Sequence, residues 1–299
     1  MFKWSKLLVM ALAVSMLCVV VAGCGGGDEK ELSVAEKFGG RIVGIEPGAG
    51  IMKATEAAIT AYGLEGIKLQ DSSSPAMVAA LEKAVQNGEW IAVTGWTPHW
   101  KFAKWDLKYL EDPMGVFGGE EEIDTIVTPT LAEEAPAAYQ MLDNFYWAPA
   151  DMEAVMLDIN VGEMSPDDAA VKFIAENQDL IESWIPADAE LGKDTITLGY
   201  VEWDSEIAST HVVKHVLMDM GYNVDLKAVD AGIMWQGIGV GSFDAIVAAW
   251  LPATHGDYYE QVKDNVVNLG ANLNGAKIGL VVPTYVTIDS IAEMAPAAE

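Results

Sequence analysis

Arg41-Ile42-Val43-Gly44-Ile45-Glu46-Pro47-Gly48-Ala49-Gly50-Ile51-Met52 is the stretch whose reading decides the architecture. Its first five residues are β-rich, and a glycine-proline turn follows. Apolar residues then recur at helical spacing from Ile51 to Tyr62. A strand that runs through a tight turn into a helix is the repeating unit of an α/β fold. Working outward, a short strand is expected at Lys68–Gln70, a helix at Ala76–Gln86 and a buried strand at Trp90–Thr94. The same grammar returns with a strand at Thr195–Val201, a helix at Glu206–Met220, a strand at Asn223–Ala228, a short helix at 233–239 and a strand at Asp244–Ala249. Both units end on Trp-x-Pro, at Trp96-Thr97-Pro98 and at Trp250-Leu251-Pro252. Gly44 to Trp96 is 52 positions and Gly199 to Trp250 is 51, so order, spacing and ending together predict two related lobes with a largely parallel sheet. Glu120–Trp184 between them reads as mostly helical, with Ser165-Pro166 a strong helix start. Lys277–Val282 reads as one more buried strand and Ile288–Glu299 as a short helical tail.

The first 24 residues read as an address. Lys3 and Lys6 precede an apolar run from Leu7 to Val21, and Val21-Ala22-Gly23-Cys24 places small residues before a cysteine. This is the pattern of a secretory signal, and its end resembles the bacterial lipobox, in which Cys24 would be acylated. The apolar run is shorter than the ~20 residues of a spanning helix. The expected organisation is a signal peptide at 1–23, a lipid-anchored linker at 24–38, one lobe at 39–120 joined by 286–299, and a second lobe at 121–285. The expected location is outside the cytoplasmic membrane, on its outer face or the periplasmic side, tethered by the lipid.

Seventeen basic residues face 45 acidic ones across 299 residues, for a net charge of −28. Two lysines and no acid leave with residues 1–23, so the mature chain is still more acidic. Nucleic acid is excluded as a partner, because phosphate binding needs a basic face. Both cysteines, Cys18 and Cys24, lie in the address, so no disulfide framework or cysteine metal site is available to the folded part. His211 and His215 are four apart, but the glutamate of a metalloprotease motif is missing, and no metal or cofactor is expected. Ser72-Ser73-Ser74 lacks a nucleophile-elbow context. Asp151, Glu153, Asp167 and Asp168 sit in first helical turns and read as solvated charges rather than catalytic acids.

In open α/β sheets a ligand lies beyond the carboxyl ends of the strands. Trp96, Trp203 and Trp250 and the Gly48–Gly50 turn are all expected there, facing a cleft between the lobes. Glycines let backbone approach a ligand, and free N–H groups at a helix start favour an anion. Indole faces attract cations, and a quaternary ammonium, which donates no hydrogen bond, is held naturally by an aromatic cage. His255, five residues after Trp250, could complete an anion site as imidazolium or through an Nε–H. His99 reads as a supporting or surface group, and Trp90, Trp105, Trp147, Trp184 and Trp235 as core.

Four blocks carry a resemblance: Gly44-Ile45-Glu46-Pro47-Gly48-Ala49-Gly50-Ile51-Met52, Thr94-Gly95-Trp96-Thr97-Pro98-His99-Trp100, Tyr200-Val201-Glu202-Trp203-Asp204-Ser205-Glu206-Ile207-Ala208 and Ala249-Trp250-Leu251-Pro252-Ala253-Thr254-His255. Together they resemble the OpuAC-type glycine betaine-binding proteins, substrate-binding lipoproteins of ABC importers for compatible solutes. The resemblance spans nearly all of the mature chain. It implies a periplasmic-binding-protein-like fold of type II, with two α/β lobes closing over the ligand in an interlobe cleft. The block order looks circularly permuted relative to ProX-type binders. It further implies a cage of Trp96, Trp203 and Trp250 around the trimethylammonium, with carboxylate contacts from the N–H groups of Gly50 and Ile51 and from His255. The implied activity is capture of glycine betaine and its delivery to a transmembrane permease for osmoprotection, with no chemistry on the ligand. A choline, carnitine or sulfonium binder, or a ligand-sensing lipoprotein, are the alternative readings; an enzyme acting on methylated amines would need a redox cofactor or metal fingerprint that the chain lacks.

Overall fold

The computed structural model describes residues 32–188 and 190–296. The signal segment, Cys24 and most of the expected linker lie outside the described residues. Nine strands are present among them: β1 (Arg41–Val43), β2 (Lys68–Gln70), β3 (Val93–Thr97), β4 (Leu107–Tyr109), β5 (Glu121–Val127), β6 (Thr195–Tyr200), β7 (Asn223–Ala228), β8 (Ala245–Leu251) and β9 (Val267–Pro283). Their order is β2-β1-β3-β9-β5-β8-β6-β7, with β4 added against β9. The residues from Ser33 onward pack as one compact unit. No helix in the described residues is long and apolar enough to cross a membrane.

The two strand–helix–strand units form as their sequences require. β1 is parallel to β2 and β3, and β6 is parallel to β7 and β8. The central strands are not parallel: β9 runs antiparallel to β3, β4 and β5, and β5 antiparallel to β8. The sheet is therefore mixed rather than largely parallel. The cause is β9, seventeen residues long, whose first part pairs with β5 and whose second part pairs with β3 and β4.

Only Lys277–Val282 of β9 carries the apolar run of a buried strand. Its first half, Val267-Asn268-Leu269-Gly270-Ala271-Asn272-Leu273-Asn274-Gly275-Ala276, mixes asparagine with two glycines at φ 92° and 84°. Register shifts against β5 bend this stretch, and bulges of that kind erase a clean period-two pattern. β5 also departs from expectation, standing where helix was expected. Two of its acids, Glu121 and Asp124, are buried, which no solvent-facing pattern would suggest. The expected tail helix is a single 3₁₀ turn, Ile291–Met294. Ser33 caps a short helix, Val34–Lys37, and Phe38 is buried against Trp90 with rings 5.2 Å apart, so the end of the expected linker is core.

The supporting tryptophans behave as read: Trp147, Trp184 and Trp235 are buried, and Trp90 and Trp105 are half-buried. His211 and His215 stand one turn apart and both reach Asp167 Oδ1, at 3.0 and 2.8 Å, beside Lys214 Nζ at 2.7 Å. Asp167 is thus a bonded acceptor as well as a half-exposed, solvated charge. These hydrogen bonds outweigh its desolvation and hold its carboxyl well below the usual range.

Candidate functional site

Trp96, Trp203 and Trp250 arrive at one place by two routes. Trp96 and Trp250 lie inside β3 and β8 rather than beyond their ends. Trp96 pairs with Ile278 of β9, and Trp250 pairs with Ile123 of β5. Both following X–Pro bonds are cis. Trp203 is the N-cap of the helix Asp204–Asp219, in extended backbone (φ −95°, ψ 146°). The turn before it is held by Glu206, whose Oε2 accepts the Val201 N–H at 2.8 Å. Burial pushes the Glu206 carboxyl up to about 8.

The three indoles line a single pocket together with Gly50, Ile51 and His255, so all six residues singled out from the sequence converge. Ile45, Ala49, Ser205, Thr254 and Ile278 complete the wall. The glycine turn enters the helix Gly50–Ala61 with Ala49 as N-cap and no side chain bonding the cap. Ala49 N–H donates to Glu46 C=O and Met52 N–H to Ala49 C=O, and the Gly50 and Ile51 N–H groups between them have no acceptor among the described residues. Such orphan donors at a helix start attract anionic groups.

His255 is fully buried, and its orientation follows from a closed five-residue loop. Its N–H donates to the Trp250 carbonyl at 2.8 Å, and the Trp250 N–H donates back to His255 Nδ1 at 3.1 Å. Nδ1 is therefore an acceptor, and the ring proton sits on Nε2. Burial first, then the nearby Lys53 charge, pushes the imidazole down to about 3, against a smaller opposing pull from the Ala248 carbonyl. Of the two forms open from the sequence, the neutral Nε2–H imidazole is the one present near neutral pH. Nε2 itself is buried without a hydrogen bond in the protein. The ring stacks on Trp203 at 6.1 Å and meets Trp235 edge-on at 5.7 Å.

Several residues that the sequence reading passed over hold these groups in place. Trp203 Nε1 donates to Glu46 Oε2 at 2.9 Å, while Glu46 Oε1 accepts the Ser74 N–H at 3.1 Å. Asp204 accepts from Trp100 Nε1 at 3.1 Å and Ser74 Oγ at 3.0 Å. Burial alone would raise the Asp204 carboxyl, but its donors hold it down to about 2. His99, read as a supporting or surface group, is fully buried with Nε2 3.5 Å from Asp204. Glu121 Oε1 accepts the Ala253 and Thr254 N–H groups at 2.8 and 2.7 Å, and Oε2 accepts from Thr254 Oγ1. Glu46 and Asp204 stand within quoted motifs and could have been flagged there. Glu121 has no local signal, because its partners lie some 130 residues away.

The profile of one protein family, the substrate-binding domain of ABC-type glycine betaine transport systems (OpuAC), matches residues 27–176 and 194–299. The chain belongs to the OpuAC family. As a member it is a substrate-binding component of an ABC transport system and not an enzyme. The glycine betaine/carnitine transport binding protein GbuC of Listeria monocytogenes serotype 1/2a (strain 10403S) is 44% identical over 295 residues, which is 97% of this chain and 98% of GbuC. Among solved structures, lactococcal OpuAC in its closed-liganded conformation with glycine betaine is 46% identical, covering 52% of this chain and 61% of that one at a TM-score of 0.49. ProX from Borrelia burgdorferi is 33% identical, over 51% of this chain and 58% of its own, at a TM-score of 0.46.

Proposed function

We propose that the pocket captures glycine betaine, with its trimethylammonium among Trp96, Trp203 and Trp250 and its carboxylate on the Gly50 and Ile51 N–H groups and His255 Nε2. The observation that carries this reading is the meeting of three indoles with an unspent, buried Nε2–H in one pocket. One end suits a cation that cannot hydrogen-bond and the other suits an anion. Carnitine is the second solute to test, because GbuC carries both names and shares 44% of its residues with this chain. Titration calorimetry with glycine betaine, carnitine, choline and proline ranks them; proline binding as well as betaine would defeat the cage.

Two lobes, 39–120 with 286–299 and 121–285, would close over the solute in a type II, circularly permuted arrangement. The block order along the chain and the meeting of two sheet halves at β9 support that division. Export, acylation at Cys24 and delivery to a membrane permease complete the proposal.

Ligand capture should change tryptophan fluorescence strongly. Trp4 leaves with the signal, and three of the remaining nine tryptophans line the pocket. A folded, mature protein with an unchanged spectrum at millimolar glycine betaine would mean that the solute binds elsewhere or not at all.

His255→Ala should weaken glycine betaine by about 1.5–3 kcal/mol, the worth of one charge-assisted hydrogen bond. Choline keeps the trimethylammonium and lacks the carboxylate, so its weaker binding should hardly move. Equal losses for both ligands would make His255 a packing residue of the Trp203–Trp235 stack.

A further inference from the structure

Lys101 is a buried cation without a hydrogen-bond partner. Its side chain is wholly excluded from solvent, and Nζ makes no hydrogen bond. Instead Nζ stands 4.4 Å from the centroid of the Trp96 indole and 5.3 Å from that of Phe102. Trp96 lines the pocket and Lys101 is not among the lining residues, so the amine meets the indole from outside the pocket wall, where the His99 ring also stands, its centroid 4.6 Å from that of Trp96. The lysine stem lies against Gly95, where an added Cβ would come within 3.4 Å of Cε.

We propose that Lys101 sets the affinity of the tryptophan cage from outside the pocket, through the charge it places over the Trp96 ring. This inference rests on reading Trp96 as a cage wall. A ring quadrupole serves one cation well, but a second over the same ring repels the first through a thin, dry layer. Two unit charges ~9 Å apart at an effective dielectric constant of ~20 repel enough to weaken binding about twentyfold. A neutral amine adds no such repulsion and leaves the indole to the ligand.

The amine is placed to switch between those states. Burial, the main cause, lowers it to about 7, against the opposing pull of Asp204. The charged and titratable groups around it are few. Asp204 at the start of the helix Asp204–Asp219 stays ionised, and His99 on its own loop is held neutral, lowered to about 4 chiefly by burial. Glu153 lies against the His99 backbone, with its carboxyl raised by burial. The Tyr109 phenol of β4 is raised by burial and stays protonated. Glu206, which holds the Val201 N–H in the turn before Trp203, is a further group shifted towards neutral pH, pushed up to about 8 by burial.

The test is calorimetric titration of glycine betaine and choline at pH 5.5, 7.0 and 8.5, with wild type and Lys101→Met. Wild-type affinity for both ligands should rise about ten- to twentyfold with pH, because both present the same trimethylammonium to Trp96. Lys101→Met, close in length and uncharged, should bind at least as tightly as wild type at pH 8.5 and show no such rise. A flat wild-type profile overturns the proposal without reference to any variant. A rise that persists in Lys101→Met assigns the effect to another titrating group, such as Glu206, and also overturns it. Wild type that binds neither ligand overturns the cage and the role of Lys101 together, whereas binding with tryptophan quenching but no pH rise removes Lys101 alone.

Discussion

Gly50→Ala should abolish ligand capture, weakening glycine betaine more than a hundredfold, or about 2.7 kcal/mol and upward. A Cβ on Gly50 would stand 2.0 Å from the Thr254 carbonyl oxygen and 2.8 Å from Thr254 Cγ2. Contacts that short do not occur, so either the glycine turn or the loop carrying Trp250 and His255 has to move. The loop cannot yield cheaply, because the buried Glu121 carboxylate holds the Ala253 and Thr254 N–H groups together. In an exposed helix interior the same substitution would be favourable by about 1 kcal/mol, so the loss is not one of helix propensity. Circular dichroism should therefore show a folded protein, while calorimetry shows no heat of binding. Binding within threefold of wild type would mean that the turn and the loop do not approach this closely around the ligand.

Trp203→Ala should cost about 3–5 kcal/mol of affinity, more than Trp96→Ala or Trp250→Ala. The indole would contribute a desolvated cation–π face worth ~2 kcal/mol. It also donates to Glu46 at 2.9 Å, a charge-assisted bond that ties the Trp203 turn to the glycine turn and is worth about 1.5–3 kcal/mol. Trp203→Phe separates the two, since it retains a ring face and loses the N–H. Its affinity should fall between wild type and Trp203→Ala. Trp203→Leu should not recover what Trp203→Phe does, because a leucine has area without a quadrupole. If Trp203→Leu matches wild type by calorimetry, the pocket works by apolar burial and the cage is wrong.

The parts of the site that could be read from sequence are those carried by short segments. Glycines at 48 and 50 before a helical run, tryptophans beside prolines at matching positions in two units, and a histidine five residues past Trp250 are local statements. Each predicts its own backbone. What escaped was set by partners far along the chain. Glu121 looks like one acid in a run of three, yet it is buried because three donors of the Ala253–Thr254 segment converge on it. Lys101 looks like a surface lysine in a short basic helix, yet the fold closes over it. The first half of β9 looks like a polar loop, because bulges at its glycines break the alternation that marks a strand.

The sequence by itself determined that this chain is built of two strand–helix–strand units, and it pointed to the three indoles and the glycine turn that line one pocket. Periodicity and motif order suffice for that, since each unit's apolar face and turn chemistry are encoded within some fifty residues. Only the tertiary structure decided the protonation and aim of His255. A tautomer depends on which ring nitrogen meets a backbone donor, and that donor is supplied by the closed Trp250–His255 loop. It also decided that β5 and β9 run antiparallel through the centre, and that a buried lysine amine lies over the Trp96 ring. Burial and electrostatic neighbours are properties of the packed chain, and no window of sequence contains them.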